Sequence, residues 1–87
     1  MTQIRMLIEN RKSTKILVFV EPEASDYWLD SGELCELIAD SEVSDGKFEI
    51  QYTDEGLTVY PDRGVGYISV YQDGKELECG HKRPANY

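Results

Sequence analysis

The chain contains few of the residues that enzyme active sites and metal sites use. Its 87 residues include two cysteines and one histidine, with no Cys-x-x-Cys pair and no sign of a nucleophile, base and orienting third residue. Two cysteines do not make a disulfide framework, and buried reduced thiols are their simplest interpretation. We therefore expect a protein that is not an enzyme and has no cofactor.

One arrangement of these scarce residues leaves an alternative open. Cys79 and His81 stand two positions apart, and Cys35 could join them as a third ligand of the kinds that zinc or copper takes. A small-ligand or metal-binding β-domain using Cys35, Cys79 and His81 is thus the alternative function. A core thiol beside a surface histidine gives the same pattern, and we favour that interpretation.

Basic residues are also scarce. The chain has 17 acidic residues against nine lysines and arginines, for a formal net charge of −8. Such a field repels nucleic-acid phosphates and anionic lipid, and it attracts basic protein surfaces. We predict a basic protein surface as partner, with no nucleic acid and no membrane. The competing explanation is that the charge serves solubility alone.

Long apolar runs are absent as well. No segment approaches the roughly 20 apolar residues of a membrane span, and Met1–Arg5 is not followed by the apolar segment of a signal peptide. We expect a cytoplasmic protein, monomeric or weakly dimeric. The length allows one domain, which leaves few apolar residues for a ligand cavity of roughly 300 Å³ or more.

The apolar residues that are present recur at every second position in short segments. Ile4, Met6 and Ile8 alternate with other residues, and a branched and aromatic run at 15–21 suits a central strand. Further strands are predicted over 48–53, 57–60, 67–71 and 75–79. The pattern predicts an all-β fold, an antiparallel sandwich or small barrel of about seven to eight short strands. We place one β-domain at 1–80 and a flexible C-terminal tail at 81–87.

The segment 26–39 holds the only tryptophan and has apolar residues on both sides of a turn. We predict a β-hairpin in which Tyr27–Leu29 and Leu34–Ala39 flank the loop 30–33, with Cys35 facing the core. Good helix formers over 33–40 leave two turns of helix as the alternative for the second arm.

Charge is unevenly distributed along the chain. Ile16 to Gly46 contains no lysine or arginine and nine acidic residues, which predicts a strongly negative region. Exposed tyrosine beside carboxylate suits a protein-binding surface. The alternative is that these rings form a second small core or cap the edge of the sandwich. A role as an inhibitor or immunity-type protein would fit, with carboxylates imitating the phosphates of a basic target. The predicted partner-binding residues are Tyr27, Trp28, Glu33, Glu36, Tyr60, Tyr67 and Tyr71.

Several short pieces also resemble those of short, uncharacterised acidic bacterial proteins. The resemblance implies a single bacterial β-domain and brings no activity with it. The pieces are Ile8-Glu9-Asn10-Arg11, Glu21-Pro22, Asp26-Tyr27-Trp28-Leu29, Ser31-Gly32-Glu33, Asp54-Glu55-Gly56-Leu57-Thr58-Val59 and Leu77-Glu78-Cys79-Gly80-His81.

Overall fold

The computed structural model describes all residues from Met1 to Tyr87, and all of its regular secondary structure is β-strand. No helix could cross a membrane. The strands are β1 (Thr2–Glu9), β2 (Ile16–Val20), β3 (Ser25–Leu29), β4 (Leu34–Ser41), β5 (Phe48–Tyr52), β6 (Gly56–Pro61), β7 (Ser69–Gln72) and β8 (Lys75–Glu76).

The strands form two four-stranded sheets, which confirms the predicted all-β class. The first sheet has the order β1-β4-β7-β8, and the second has the order β3-β2-β6-β5. Every neighbouring pair is antiparallel except β2 and β6, which run parallel. The architecture is therefore a two-layer sandwich with one parallel pair inside the second sheet.

The core lies between the inner faces of the two sheets. Cys35, Leu37 and Ala39 alternate along β4 and are buried, as are Val18 and Val20 of β2. The period of two along β4 places one row of side chains in the interior and the other outside. The predicted inward direction of Cys35 is confirmed.

The predicted hairpin at 26–39 is wrong. β3 pairs with β2 in the second sheet, whereas β4 pairs with β1 in the first. Residues 30–33 carry the chain across the sandwich instead of folding it back within one sheet. The helix alternative for 33–40 is wrong too, because β4 is a strand over Leu34–Ser41.

A buried asparagine holds this crossing in place. The Asn10 side chain is 1% exposed and donates from Nδ2 to the carbonyl oxygens of Thr14 at 2.9 Å and Leu29 at 3.0 Å. Its Oδ1 accepts from the Lys12 backbone N–H at 2.9 Å, and its backbone oxygen accepts from Gly32 N–H at 2.7 Å. The end of β1, the start of β2 and the crossing loop are thus joined by one residue.

The predicted C-terminal hairpin is present but shorter than expected. Asp73 and Gly74 both have positive φ, 53° and 78°, as a tight two-residue turn requires. β8 ends at Glu76, so the strand predicted over 75–79 covers only its first two residues.

Residues 81–87, for which the sequence predicts a flexible tail, contact β3 in the structure. Gly80 N–H donates to the Asp26 carbonyl oxygen at 2.6 Å, and Trp28 N–H donates to the His81 carbonyl oxygen at 2.9 Å. The Tyr87 ring meets the Trp28 ring edge-on at a centroid distance of 4.9 Å. The C-terminal segment, residues 79–87, therefore covers the edge of the second sheet.

Candidate functional site

The negative charge of residues 16–46 is partly neutralised by bases from elsewhere in the chain. Of its nine acidic residues, Asp26, Asp30, Glu33 and Glu36 form ion pairs with arginine or lysine. The region predicted to be strongly negative is thus less so in the folded protein.

Asp26 is the most deeply buried of these carboxylates. It accepts from Arg83 Nε at 2.8 Å, from Arg83 Nη2 at 2.6 Å and from Trp28 Nε1 at 2.9 Å. The Arg83 guanidinium, with the Trp28 indole, holds the pKa of this carboxyl well below its usual range despite the opposing effect of burial. The pair fastens the C-terminal segment to β3, so its role is structural.

Acid should loosen this fastening. Because the folded-state pKa of Asp26 lies below the unfolded-state value, its contribution to stability is complete above the ordinary carboxyl pKa of about 4 and declines as the pH falls below it. The Asp30 and Glu33 pKa values are lowered by Lys82 and act in the same direction. Urea titrations between about pH 7 and 2 should show stability falling with acid. Asp26→Asn should reduce that loss, and an unchanged pH profile in the variant would contradict this assignment.

Glu33 is committed to an ion cluster at the sheet crossing. Its Oε2 accepts from Lys82 Nζ at 2.8 Å, and its Oε1 accepts from the Asp30 backbone N–H at 2.7 Å. Lys82 also pairs with Asp30 at 3.0 Å. A carboxylate held in this way supports the fold and offers little to a partner.

Two of the predicted aromatic anchors do not reach the surface. Tyr27 is 4% exposed and faces the core, and Trp28 is 5% exposed beneath the Tyr87 ring. Tyr60 is half-buried near Gln51 on the second sheet, whereas Tyr71 lies on the first sheet. A docking surface cannot be built on Tyr27 and Trp28, because burial leaves them little area to present.

The structure does bring Glu36, Tyr67 and Tyr71 to the outside of the first sheet. Glu36 stands directly opposite Tyr71 in the β4–β7 register, and Ile38 stands opposite Ser69. Tyr67 precedes β7 and is 59% exposed. We define the docking patch as the outward-facing residues Leu34, Glu36, Ile38, Tyr67 and Tyr71.

Two shallow clefts lie on this patch, one on each side of Tyr71. The first, of about 150 Å³, is bordered by Leu34, Glu36 and Tyr71. The second, of about 180 Å³, is bordered by Ile38, Tyr67 and Tyr71. Clefts of this size suit single side chains of a protein partner better than a whole small-molecule ligand, which needs roughly 300 Å³ or more.

Sequence reasoning missed Leu34 and Ile38 as members of this patch. Leu34 is 47% exposed although it belongs to an apolar strand. The signal was present in the alternation of β4, whose outward row mixes Leu34, Glu36 and Ile38 while its inward row is wholly apolar. An apolar pair on the outward row indicates surface left for contact.

Uncompensated carboxylates surround the patch. Asp40 and Glu76 are exposed and form no ion pair, while Glu36 meets Arg5 at 3.3 Å. Across the molecule, five of the 17 acidic residues form ion pairs. Twelve carboxylates therefore remain to give the surface a negative potential.

The cysteines and the histidine do not form the alternative metal site. Cys35 lies in the core, where burial raises the pKa of its thiol to about 12. Cys79 is at the surface, where its Sγ lies 3.5 Å from Asp26 Oδ1. No three His, Cys, Asp or Glu side chains come together in an arrangement that could hold a metal ion. The suggestion of a site formed by Cys35, Cys79 and His81 is therefore wrong.

Comparisons with protein-family models, with curated proteins and with solved structures found no match.

Proposed function

We propose that this protein is a non-enzymatic binding module that docks through the first sheet on a basic surface of another protein. The observation that carries the proposal is the docking patch itself, where two tyrosines and two aliphatic side chains lie outside the core among unpaired carboxylates. The net negative charge favours an inhibitor or immunity-type role in the cytoplasm.

The chemistry of the patch fits a partner rich in arginine and lysine. Tyr67 and Tyr71 offer rigid rings with a hydroxyl at the tip, which bury a large area and bind guanidinium groups through their faces. Asp40 and Glu76 stand at its rim, where charge raises the association rate and selects against acidic partners. The apolar centre contributes affinity, and the rim contributes specificity.

Variants of the patch test this proposal. The double variant with Leu34→Ser and Tyr67→Ser should bind a captured basic partner at least about tenfold more weakly. Truncating an anchor residue commonly costs about 1–2 kcal/mol of binding free energy. The matched control is Tyr52→Ser, because Tyr52 is 89% exposed on the other sheet. Affinity should be measured by calorimetry with the purified partner.

Salt provides a second, independent readout. Raising the ionic strength from about 0.05 to about 0.5 M should slow association of the partner, because screening removes long-range attraction to the carboxylates. The proposal is wrong if the double variant binds like the Tyr52→Ser control, or if every captured partner is acidic.

A further inference from the structure

Two of the four edges of the two sheets are protected, because β8 is two residues long and the edge of β3 is covered by the C-terminal segment. The other two edges are uncovered, and the edge of β1 is longer than that of β5, which has five residues. β1 has eight residues, contains no proline, and pairs only with β4. Long uncovered edges of this kind are templates for pairing with another strand.

The phase of the β1–β4 ladder shows which backbone groups this edge offers. Asn10 N–H donates to the Glu33 carbonyl oxygen, so even-numbered β1 residues form the hydrogen bonds to β4. The N–H and C=O groups of the odd residues Gln3, Arg5, Leu7 and Glu9 therefore point away from the sheet. The side chains of those same residues lie on its outer face.

We propose that β1 pairs antiparallel with β1 of a second copy of this chain, with the two-fold axis at Leu7. In that register Leu7 lies opposite Leu7 of the second copy, and Arg5 lies opposite its Glu9. Met6 lies opposite Ile8 on the inner face. A positive charge meets a negative charge at Arg5 and Glu9, and apolar side chains meet at the Leu7 pair and between Met6 and Ile8, which is the self-complementarity that an isologous interface requires.

Neighbouring registers are less complementary. Centring the axis on Arg5 would place two arginines against each other, and centring it on Met6 would place Arg5 against leucine. Every register centred on a residue places odd residues opposite odd residues, as the phase of the free hydrogen-bonding groups requires. The side-chain pairs therefore select the Leu7 register.

A single copy leaves apolar surface exposed along the β1 edge. Ile4 and Met6 lie on the inward-facing row of β1 yet are only half-buried. Next to Ile8, a cleft of about 180 Å³ opens between the sheets and is bordered by Ile16 and Leu57. In the proposed dimer, Ile4 of the second copy lies opposite Asn10, beside this cleft. The second copy would therefore cover part of the core that one chain leaves unprotected.

The dimer does not depend on the proposed function. The two-fold axis runs perpendicular to the first sheet, so both docking patches remain on the same outer face of one continuous eight-stranded sheet. Gln3 and Leu7 of β1 border the clefts of the docking patch, so the two proposals are separated by the measurement: sedimentation of the protein alone reports the dimer, and calorimetry with the partner reports docking.

Sedimentation equilibrium of the full chain up to about 0.5 mM tests the dimer. We expect wild-type protein to show a monomer–dimer equilibrium and Leu7→Lys to raise its dissociation constant at least tenfold, because two lysines would meet at the axis. Leu7 is 68% exposed, so the monomer fold should tolerate the change. Val43→Lys, a matched change of an exposed apolar residue in the loop after β4, should leave the dimer unaltered. Monomeric wild-type protein at every concentration, or equal dissociation constants for Leu7→Lys and wild type, would overturn the proposal.

A charge swap tests the register. Glu9→Arg should weaken the dimer, since it places arginine opposite Arg5, and the double variant Arg5→Glu with Glu9→Arg should restore association towards the wild-type constant. Circular dichroism confirms that each variant is folded. Equal dimerisation of all three proteins would contradict the pairing of Arg5 with Glu9.

Discussion

Replacing Asn10 with alanine should lower the free energy of unfolding by about 3 kcal/mol, because several buried groups would lose their partners at once. The carbonyl oxygens of Thr14 and Leu29 and the N–H of Lys12 are all paired with this side chain. No alanine atom can replace those hydrogen bonds. The loop that carries the chain between the sheets should loosen first.

Urea denaturation followed by tryptophan fluorescence measures this effect. The matched control is Asn86→Ala, which changes the same residue type at an exposed position and should alter stability by less than about 0.5 kcal/mol. Similar losses in the two variants would show that Asn10 does not hold the crossing in place.

Replacing Gly56 with alanine should cost about 3 kcal/mol or more, since overpacking and an unsuitable backbone conformation add. Gly56 begins β6 and pairs with Leu17 across the parallel β2–β6 ladder. Its φ is 156°, and an added Cβ would collide with the Leu17 backbone nitrogen and carbonyl oxygen. Backbone cannot move aside as a flexible side chain can, so the parallel pairing must shift.

Gly74→Ala separates the two causes. Gly74 also has positive φ, at 78°, but an added Cβ there would meet nothing within 4 Å. We expect the loss at Gly74 to be about 1 kcal/mol, from conformation alone. Equal losses at both positions would contradict the steric argument at Gly56.

The strands were predictable because their signals, alternation or a short run of branched and aromatic residues, are local in the chain. The outward and inward rows of β4 could be assigned from Cys35, Leu37 and Ala39 alone, and the Asp73–Gly74 turn could be identified from its two residues. The partners of a strand were not predictable in the same way. Two apolar segments around a short polar loop look alike whether the chain folds back within one sheet or crosses to the other.

The crossing and the C-terminal segment depend on contacts between residues far apart in the chain. Asn10 reads as a turn residue, and only the convergence of the Thr14 and Leu29 carbonyl oxygens makes it a buried one. Arg83 lies in a stretch with no periodicity, yet it is ordered by a carboxylate 57 residues away. Periodicity detects a buried row of side chains and cannot detect a single ion pair.

The candidate site was predictable in part for the same reason. Tyr67 and Tyr71 alternate with the buried residues Ile68 and Val70, so the outward direction of the two tyrosines follows from local alternation. The burial of Tyr27 and Trp28 was not predictable in this way, because it depends on which strand β3 pairs with. Once β3 pairs with β2, one of them faces the core and the other lies under the C-terminal segment.

Amide hydrogen exchange of this protein, alone and bound to a purified basic partner, tests the docking proposal most directly. We predict that binding slows exchange in peptides covering 34–41 and 67–76, which carry the docking patch and its acidic rim, with little change in β5 and β6. Protection confined to the second sheet, with exchange in 34–41 and 67–76 unaltered, would contradict the proposal.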